Sequence, residues 1–257
     1  MWTAAELGSE AGAWSGEVWR VVESQARVST MKLVDTLAEQ DLLERILDRG
    51  KPTLPSEADG LHYLLATPFR YAPYPNGSRF RRALQPEGCF YGAAAVETAI
   101  AEQAFYRLLF FQEAPTVAPP AQAMEHTAFA VPAATDASLD LTVPPLSRDA
   151  AAWTHPTDYA ACQDLADAAR AAGIEALRYR SVRDPDGGMN VALLSPAAFR
   201  AREPVTTQTW HLFVQPAAVQ AFREMPRAAL EFTRAGWSSD PRLAGAGLGK
   251  DGGRDRD

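Results

Sequence analysis

Arg79, Glu102 and Ser181 are the residues whose types and local settings best suit chemistry. Arg79 lies in the run Gly-Ser-Arg-Phe-Arg-Arg at positions 77–82, where three arginines follow a glycine-containing turn. An arginine after a tight turn can present a planar guanidinium that binds phosphate through two parallel hydrogen bonds. The alternative is a solvated basic loop, because runs of charged residues mostly lie on protein surfaces.

Glu102 lies on the helix that the sequence predicts most clearly, over residues 96–111. This segment is rich in Ala, Glu, Leu and Phe and lacks Gly and Pro. Helical spacing places Glu102 on one stripe with Thr98, Ala99, Phe105, Tyr106 and Leu109. A carboxylate in such surroundings stabilises a cationic transition state or orients a hydroxyl group. The alternative is an exposed helix glutamate paired with an arginine.

Ser181 stands at the end of a predicted strand, in a segment with three arginines, and a Gly-Gly turn follows at 187–188. A serine in this setting can bind a phosphate or an amide. No Gly-x-Ser-x-Gly elbow surrounds Ser181, so a hydrolase nucleophile is not favoured. The alternative is a strand-end serine whose hydroxyl bonds to the backbone.

Metal and disulfide chemistry are not expected. The four histidines are scattered and form neither a His-x-x-x-His nor a His-Glu-x-x-His pair. Cys89 and Cys162 are too far apart in sequence for a disulfide framework or a metal site, and we expect both to be reduced and buried.

The elements that would position these residues alternate irregularly. There is no regular succession of strand and helix and no Gly-x-Gly-x-x-Gly after a strand, so the sequence predicts an α+β fold rather than a doubly wound one. Helices are predicted at 30–49, 96–111 and 158–172, and strands at 17–24, 88–91, 129–131, 139–143, 176–181, 190–194 and 210–214. The loop at 71–78 and the connector at 114–123 are rich in proline.

The sequence predicts one domain with flexible ends. Residues 1–15 are small and polar and are expected to be loose, and residues 16–237 form the domain with an N-terminal helical extension. Residues 238–257 are rich in glycine and charge and are expected to form a disordered tail.

Composition limits the classes of partner. The net charge of −7 argues against direct binding of nucleic acid, and the 47% hydrophobic content is ordinary for a soluble globular protein. The N-terminus lacks the features of a signal peptide, and no apolar run reaches the ~18 residues of a membrane span. A cytoplasmic location without membrane association is therefore the default expectation.

The ordered set of segments resembles the RES family, which is named for an arginine, a glutamate and a serine. The segment at 77–80 is similar to the family's Gly-Gly-Arg-Trp-Asn motif, with Phe80 in the Trp place and no matching Asn. The other similar segments are 18–21 with Arg20, 64–71, 90–93 with Tyr91, 98–102 with Glu102, 179–183 with Ser181, and 187–190 with Asn190.

The resemblance implies a fold and an activity. RES proteins have a split β-sheet core with flanking helices, similar to the ADP-ribosyltransferase toxins. They act as toxins of toxin–antitoxin pairs and are inhibited by a helix-turn-helix antitoxin. They cleave NAD⁺ at the nicotinamide–ribose bond as phosphorylases or glycohydrolases, and others are reported to transfer ADP-ribose to a protein.

The resemblance also implies roles for individual residues, with NAD⁺ as substrate and no metal or further cofactor. The catalytic set is Glu102, Arg79 and Ser181, and the NAD-binding set is Arg20, Tyr91, Phe80 and Asn190. The arginines would bind the pyrophosphate, Tyr91 would stack on the leaving base and Glu102 would stabilise an oxocarbenium-like ribose. Ser181 would hold the nicotinamide or the ribose, and the segment at 159–163 is the alternative source of this third element.

Three functions remain open at this point. The first is NAD⁺ cleavage with phosphate or water as acceptor, the second is ADP-ribosylation of a protein target, and the third is a non-catalytic binding module that retains the fold. The identity of the antitoxin and a homo-oligomeric state also remain open.

Overall fold

The computed structural model describes residues 2–24, 53–70 and 75–244, together with positions 36, 38, 39, 42, 43 and 46. The helix predicted at 30–49 lies outside the described residues except for those isolated positions. Part of the loop predicted at 71–78 and the tail from 245 onward also lie outside them.

Short helices and long strands make up the described chain. The helices are α1 Ala4–Ser9, α2 Tyr63–Ala66, α3 Val96–Glu113, α4 Ala150–Trp153 and α5 Ala160–Ala171. The strands are β1 Gly12–Glu23, β2 Phe90–Ala93, β3 Met124–Asp140, β4 Ala176–Arg180, β5 Met189–Leu193, β6 Thr206–Val214, β7 Ala218–Arg223 and β8 Ala228–Thr233. Single 3₁₀ turns lie at Ser56–Ala58, Thr67–Phe69, Leu146–Asp149, Pro196–Ala198 and Arg234–Trp237.

Within the described residues the strands form one eight-stranded sheet in the order β1-β2-β5-β4-β3-β6-β7-β8. β1 also pairs with β3, so the first five strands in this order close into a ring. The second edge of β3 is divided, because β6 pairs with residues 124–130 and β4 with residues 138–140. Only the β3–β4 pairing is parallel among those described. The predicted α+β class with a split sheet core is confirmed.

Two helices cover the sheet and bring the site residues to it. The apolar face of α3, including Ile100, Phe105 and Leu108, packs against β6, β7 and β8. The buried face of α5, including Cys162 and Leu165, packs against Leu177 of β4 in a second cluster. Residues of α3 and Tyr159, which directly precedes α5, line one cavity.

The expectation of a loose N-terminus over residues 1–15 is wrong. Thr3 and Glu6 form a reciprocal capping box that starts α1, and Leu7 is fully buried. The Trp2 indole donates a hydrogen bond to Asp149 Oδ2 at 2.8 Å, and β1 begins at Gly12. The Thr-x-x-Glu spacing was the sequence signal for this helix.

The predicted domain boundary at residue 237 is also wrong. Trp237 is buried against Phe105 and Phe232, and Asp240 and Leu243 are both buried further along the chain. The domain therefore extends at least to residue 243, and residues 245–257 of the predicted tail lie outside the described part.

Candidate active site

A cavity of about 770 Å³ opens between β1, β2, α3 and the turn at 77–81. Arg20, Arg79, Tyr91, Glu102 and Asn190, all predicted site residues, line it. These residues are spread from position 20 to position 190, so the closed ring of strands is what brings them together.

Glu102 projects from α3 and is held by two side chains from the β4–β5 hairpin. Ser181 Oγ donates to Glu102 Oε1 at 2.7 Å, and Asn190 Nδ2 donates to the same oxygen at 2.6 Å. No hydrogen bond among the described residues engages Glu102 Oε2. The carboxylate is therefore fixed through one oxygen while the other remains available to the cavity.

The hairpin that carries these two donors is docked onto α3 by its turn. Thr98 Oγ1 donates to Asp184 Oδ2 at 2.7 Å, and the same carboxylate oxygen accepts from Gly188 N at 3.2 Å. A β-carbon at Gly188 would overlap the Thr98 hydroxyl, so only glycine allows this approach. Thr98 lies one helical turn before Glu102. Its hydrogen bond to Asp184 therefore holds the hairpin next to the Glu102 carboxylate.

Ser181 lies behind Glu102 rather than in the cavity wall. Its side chain is buried, and its hydroxyl accepts from Arg183 N at 3.1 Å and Asp184 N at 3.0 Å. The single hydroxyl proton is donated to Glu102. The hydroxyl is thus placed to orient the carboxylate, which differs from the expected contact with nicotinamide or ribose.

Arg79 lines the cavity, but backbone carbonyl oxygens engage much of its guanidinium. Nη1 donates to Trp153 O at 2.6 Å and Nη2 donates to His155 O at 3.0 Å. These carbonyl groups stand at and just beyond the end of α4, where carbonyl groups lack helical partners. The guanidinium also lies 4.7 Å from the ring centroid of Tyr159. Both terminal nitrogens of Arg79 therefore already donate to the backbone. Fewer of its N–H groups are left for the phosphate contact that the sequence predicted.

Arg20 and Tyr91 form the β1–β2 side of the cavity. Arg20 Nη1 donates to Tyr91 O at 3.1 Å, and its guanidinium lies 5.0 Å from the ring centroid of Phe90. The Tyr91 hydroxyl is 2.9 Å from Ser78 Oγ and accepts from Phe80 N at 2.9 Å. Burial raises the pKa of Tyr91 well above its usual value, so the phenol stays neutral.

Phe80 does not line the cavity, in contrast to its expected role in NAD binding. The ring is fully buried and makes an edge contact with Tyr179 at 4.9 Å between centroids. It anchors the 77–82 turn in the hydrophobic core, because it is the apolar side chain in a run of polar ones.

Several cavity residues lie outside the predicted catalytic and NAD-binding sets. Gln103, Tyr106, Tyr159, Tyr179 and Arg183 also line the wall. Gln103 and Tyr106 flank the predicted Glu102 on α3, and Arg183 follows Ser181 by two residues, so proximity in sequence was the available signal. Tyr159 belongs to the alternative segment at 159–163, and Cys162 of that segment lies 3.8 Å from Arg79 Nη1. Both candidate segments thus reach the site, and Ser181 is the one that contacts Glu102.

Metal and thiol chemistry find little support in the described part of the chain. No group of three His, Cys, Asp or Glu side chains there could hold a metal ion. Burial raises the pKa of Cys89, which lines the cavity, to about 11, so its thiol stays protonated and weakly nucleophilic. Among the described helices, none is both long and apolar enough to cross a membrane.

Comparison with known proteins gives one family match. A family described as the RES domain matches residues 54–215, which include Arg79, Tyr91, Glu102, Ser181 and Asn190 but not Arg20. A crystal structure of the M. tuberculosis MbcT–MbcA toxin–antitoxin complex is similar at 14% identity, with 92% of this chain and 95% of that chain covered and a TM-score of 0.43. No curated protein matches the sequence.

Proposed function

The chain belongs to the RES-domain family, and on that premise we propose that it is a toxin-type enzyme that cleaves NAD⁺ at the nicotinamide–ribose bond. The observation that carries the proposal is the Glu102 carboxylate, fixed by Ser181 and Asn190 in the wall of the cavity. The proposed acceptor is phosphate or water.

The proposed reaction places positive charge on the ribose. Cleavage of the glycosidic bond releases neutral nicotinamide and leaves an oxocarbenium-like centre, which a nearby carboxylate stabilises. Because Ser181 and Asn190 already hold Glu102 in place, the carboxylate need not reorganise as the charge develops. Such preorganised electrostatic contacts are typically worth about 10²–10³ in rate.

The remaining wall suits the rest of a dinucleotide. Arg20 and Arg79 bring positive charge to the cavity of an acidic protein, as a pyrophosphate requires. The Arg79 guanidinium carries five N–H donors, so its bonds to the Trp153 and His155 carbonyl groups leave others for a ligand. Burial raises the pKa values of Tyr91 and Tyr179 well above their usual range, and such neutral rings can stack on a leaving base.

The wall is compatible with phosphate or water as acceptor. Phosphate is already an anion and needs no base, and the arginines that bind a pyrophosphate can also hold it. Water needs a base, and Glu102, the only carboxylate among the described residues that line the cavity, can serve as one because neutral nicotinamide leaves without a general acid. Both acceptors therefore stay in the proposal.

The proposal includes a helix-turn-helix antitoxin as protein partner. Tyr106 and Phe110, each 48% exposed, lie one turn apart on α3, and Tyr106 also lines the cavity. Exposed aromatic side chains beside an active-site opening are suited to a protein that covers it.

The test is incubation of the purified full chain with NAD⁺, with and without inorganic phosphate, and chromatographic measurement of nicotinamide and the ribose product. The expected product is ADP-ribose phosphorylated at the anomeric carbon, and ADP-ribose itself would indicate water as acceptor. Label from NAD⁺ appearing on lysate proteins would instead favour ADP-ribosyl transfer. No nicotinamide release under any of these conditions would contradict the proposal.

A further inference from the structure

The segment that follows β8, residues 234–243, packs directly behind the cavity wall. It begins with the 3₁₀ turn Arg234–Trp237 and buries Trp237, Asp240 and Leu243 to 3%, 1% and 2% exposure. It lies beyond residues 54–215, the part of the chain that matches the RES domain. Two of its residues, Trp237 and Asp240, contact Arg183, which lines the cavity.

Asp240 neutralises the Arg183 guanidinium in the protein interior. Asp240 Oδ2 is 2.7 Å from Arg183 Nη1, and the two side chains are 1% and 3% exposed. A buried guanidinium needs a buried counter-charge, because an uncompensated ion in the interior is strongly disfavoured. Arg242 also pairs with Asp240, but it is more exposed and lies at the outer side of the pair.

With Asp240 in place, Arg183 organises its surroundings. Nη2 donates to Pro156 O at 2.5 Å and lies 3.5 Å from the Tyr159 hydroxyl, and the guanidinium lies 4.0 Å from the Phe105 ring centroid. These contacts join the segment before α5, which carries Tyr159, to α3, which carries Glu102.

The backbone of Arg183 is fixed as well, and this connects the segment to the reactive carboxylate. The Trp237 indole donates to Arg183 O at 2.6 Å, and Arg183 N donates to Ser181 Oγ at 3.1 Å. Ser181 Oγ in turn donates to Glu102 Oε1 at 2.7 Å. An unbroken chain of contacts therefore runs from the C-terminal segment to Glu102.

We propose that Asp240 is a positioning residue of the active site, which acts through Arg183 and Ser181 to hold Glu102. The inference rests on the proposed function for its kinetic consequence but not for its structural one. Asp240→Asn keeps the shape of the side chain and removes the charge, so Arg183 moves and Ser181 loses its fixed orientation. A displacement of about 1 Å at a reacting group can cost about 10²-fold, so kcat falls by up to that factor.

The experiment uses the full chain, with Asp164→Asn as matched control. Asp164 of α5 forms an ion pair with Arg82, and neither residue lines the cavity. Hydrogen–deuterium exchange of the 181–184 amides, without any substrate, reports the positioning directly. We expect faster exchange there in Asp240→Asn and unchanged exchange in Asp164→Asn. Unchanged exchange in Asp240→Asn would overturn the inference, whereas an inactive wild-type enzyme would overturn only the proposed function.

Kinetics then separate positioning from a general loss of stability. If Asp240 acts through Ser181, the double variant Asp240→Asn/Ser181→Ala has the kcat of Ser181→Ala alone. If the two losses multiply, Asp240 acts by another route and the inference is wrong. Where Asp240→Asn fails to fold, Trp237→Phe keeps the packed ring and removes the donor to Arg183 O. It is then expected to lower kcat and speed exchange at 181–184, and the absence of both effects would contradict the inference.

Discussion

Ser181→Ala distinguishes a serine that orients the carboxylate from one that binds substrate. The substitution removes the 2.7 Å hydrogen bond to Glu102 Oε1 and leaves Arg183 N and Asp184 N without their acceptor. A hydrogen bond to a charged group contributes about 1.5–3 kcal/mol, which corresponds to a loss of roughly 10- to 150-fold if it acts on the transition state. Asn190 still donates to Glu102, so the lower end of this range is expected.

The assay is steady-state nicotinamide release by the variant, with its melting temperature measured in parallel. Ser195→Ala is the matched control, because Ser195 Oγ likewise accepts a backbone N–H, from Ala197 at 3.1 Å, but outside the cavity lining. We expect a fall in kcat with KM little changed in Ser181→Ala, and no kinetic change in Ser195→Ala. A raised KM with unchanged kcat would refute the reasoning and assign Ser181 to substrate binding.

Three further predictions concern residues around the site. Arg79→Lys should lose nearly as much activity as Arg79→Ala, because an ammonium cannot span the Trp153 and His155 carbonyl groups, and recovery to within a few-fold of wild type would contradict this. A chain ending at residue 237 loses Asp240, which leaves Arg183 uncompensated at about 3–5 kcal/mol. It should melt on the order of 10 °C lower, whereas a chain ending at 244 should melt within a few degrees of wild type. Burial lowers the pKa of His126 below 6.5, so the unfolded chain takes up the proton first. The free energy of unfolding should therefore fall as pH drops below about 6.5, and denaturant titrations of His126→Gln should show a weaker fall.

The sequence predicted the positions of the reacting groups better than it predicted the hydrogen bonds and ion pairs that those groups form. Glu102 was predicted because its helix has uninterrupted periodicity, and Ser181 and Asn190 because a strand, a Gly-Gly turn and a strand follow in short order. These are local signals. The carbonyl partners of Arg79 and the pairing of Arg183 with Asp240 join residues 57 or more positions apart, so no local pattern indicates them.

The strands show the same contrast between local sequence signals and contacts made by residues far apart in the chain. β3 is one strand of 17 residues, but the sequence predicted two short strands because Pro132 and the Ala and Asp residues after it have low strand propensity. Pairing with β1 across this stretch overrides that local preference. β7 and β8 were not predicted, although both alternate in burial once they are paired. Four of their eight apolar residues are alanine, so the alternation was weak in the sequence alone.

The most direct test of the account is nicotinamide release from NAD⁺ by the wild-type chain and by Glu102→Gln, with a folding check on both. We expect release by the wild type, faster with phosphate present, and a loss of about 10²–10³ in rate in the variant, since the amide removes the charge that stabilises the ribose. A folded Glu102→Gln protein that releases nicotinamide at the wild-type rate would contradict the assignment of the carboxylate and with it the proposed mechanism.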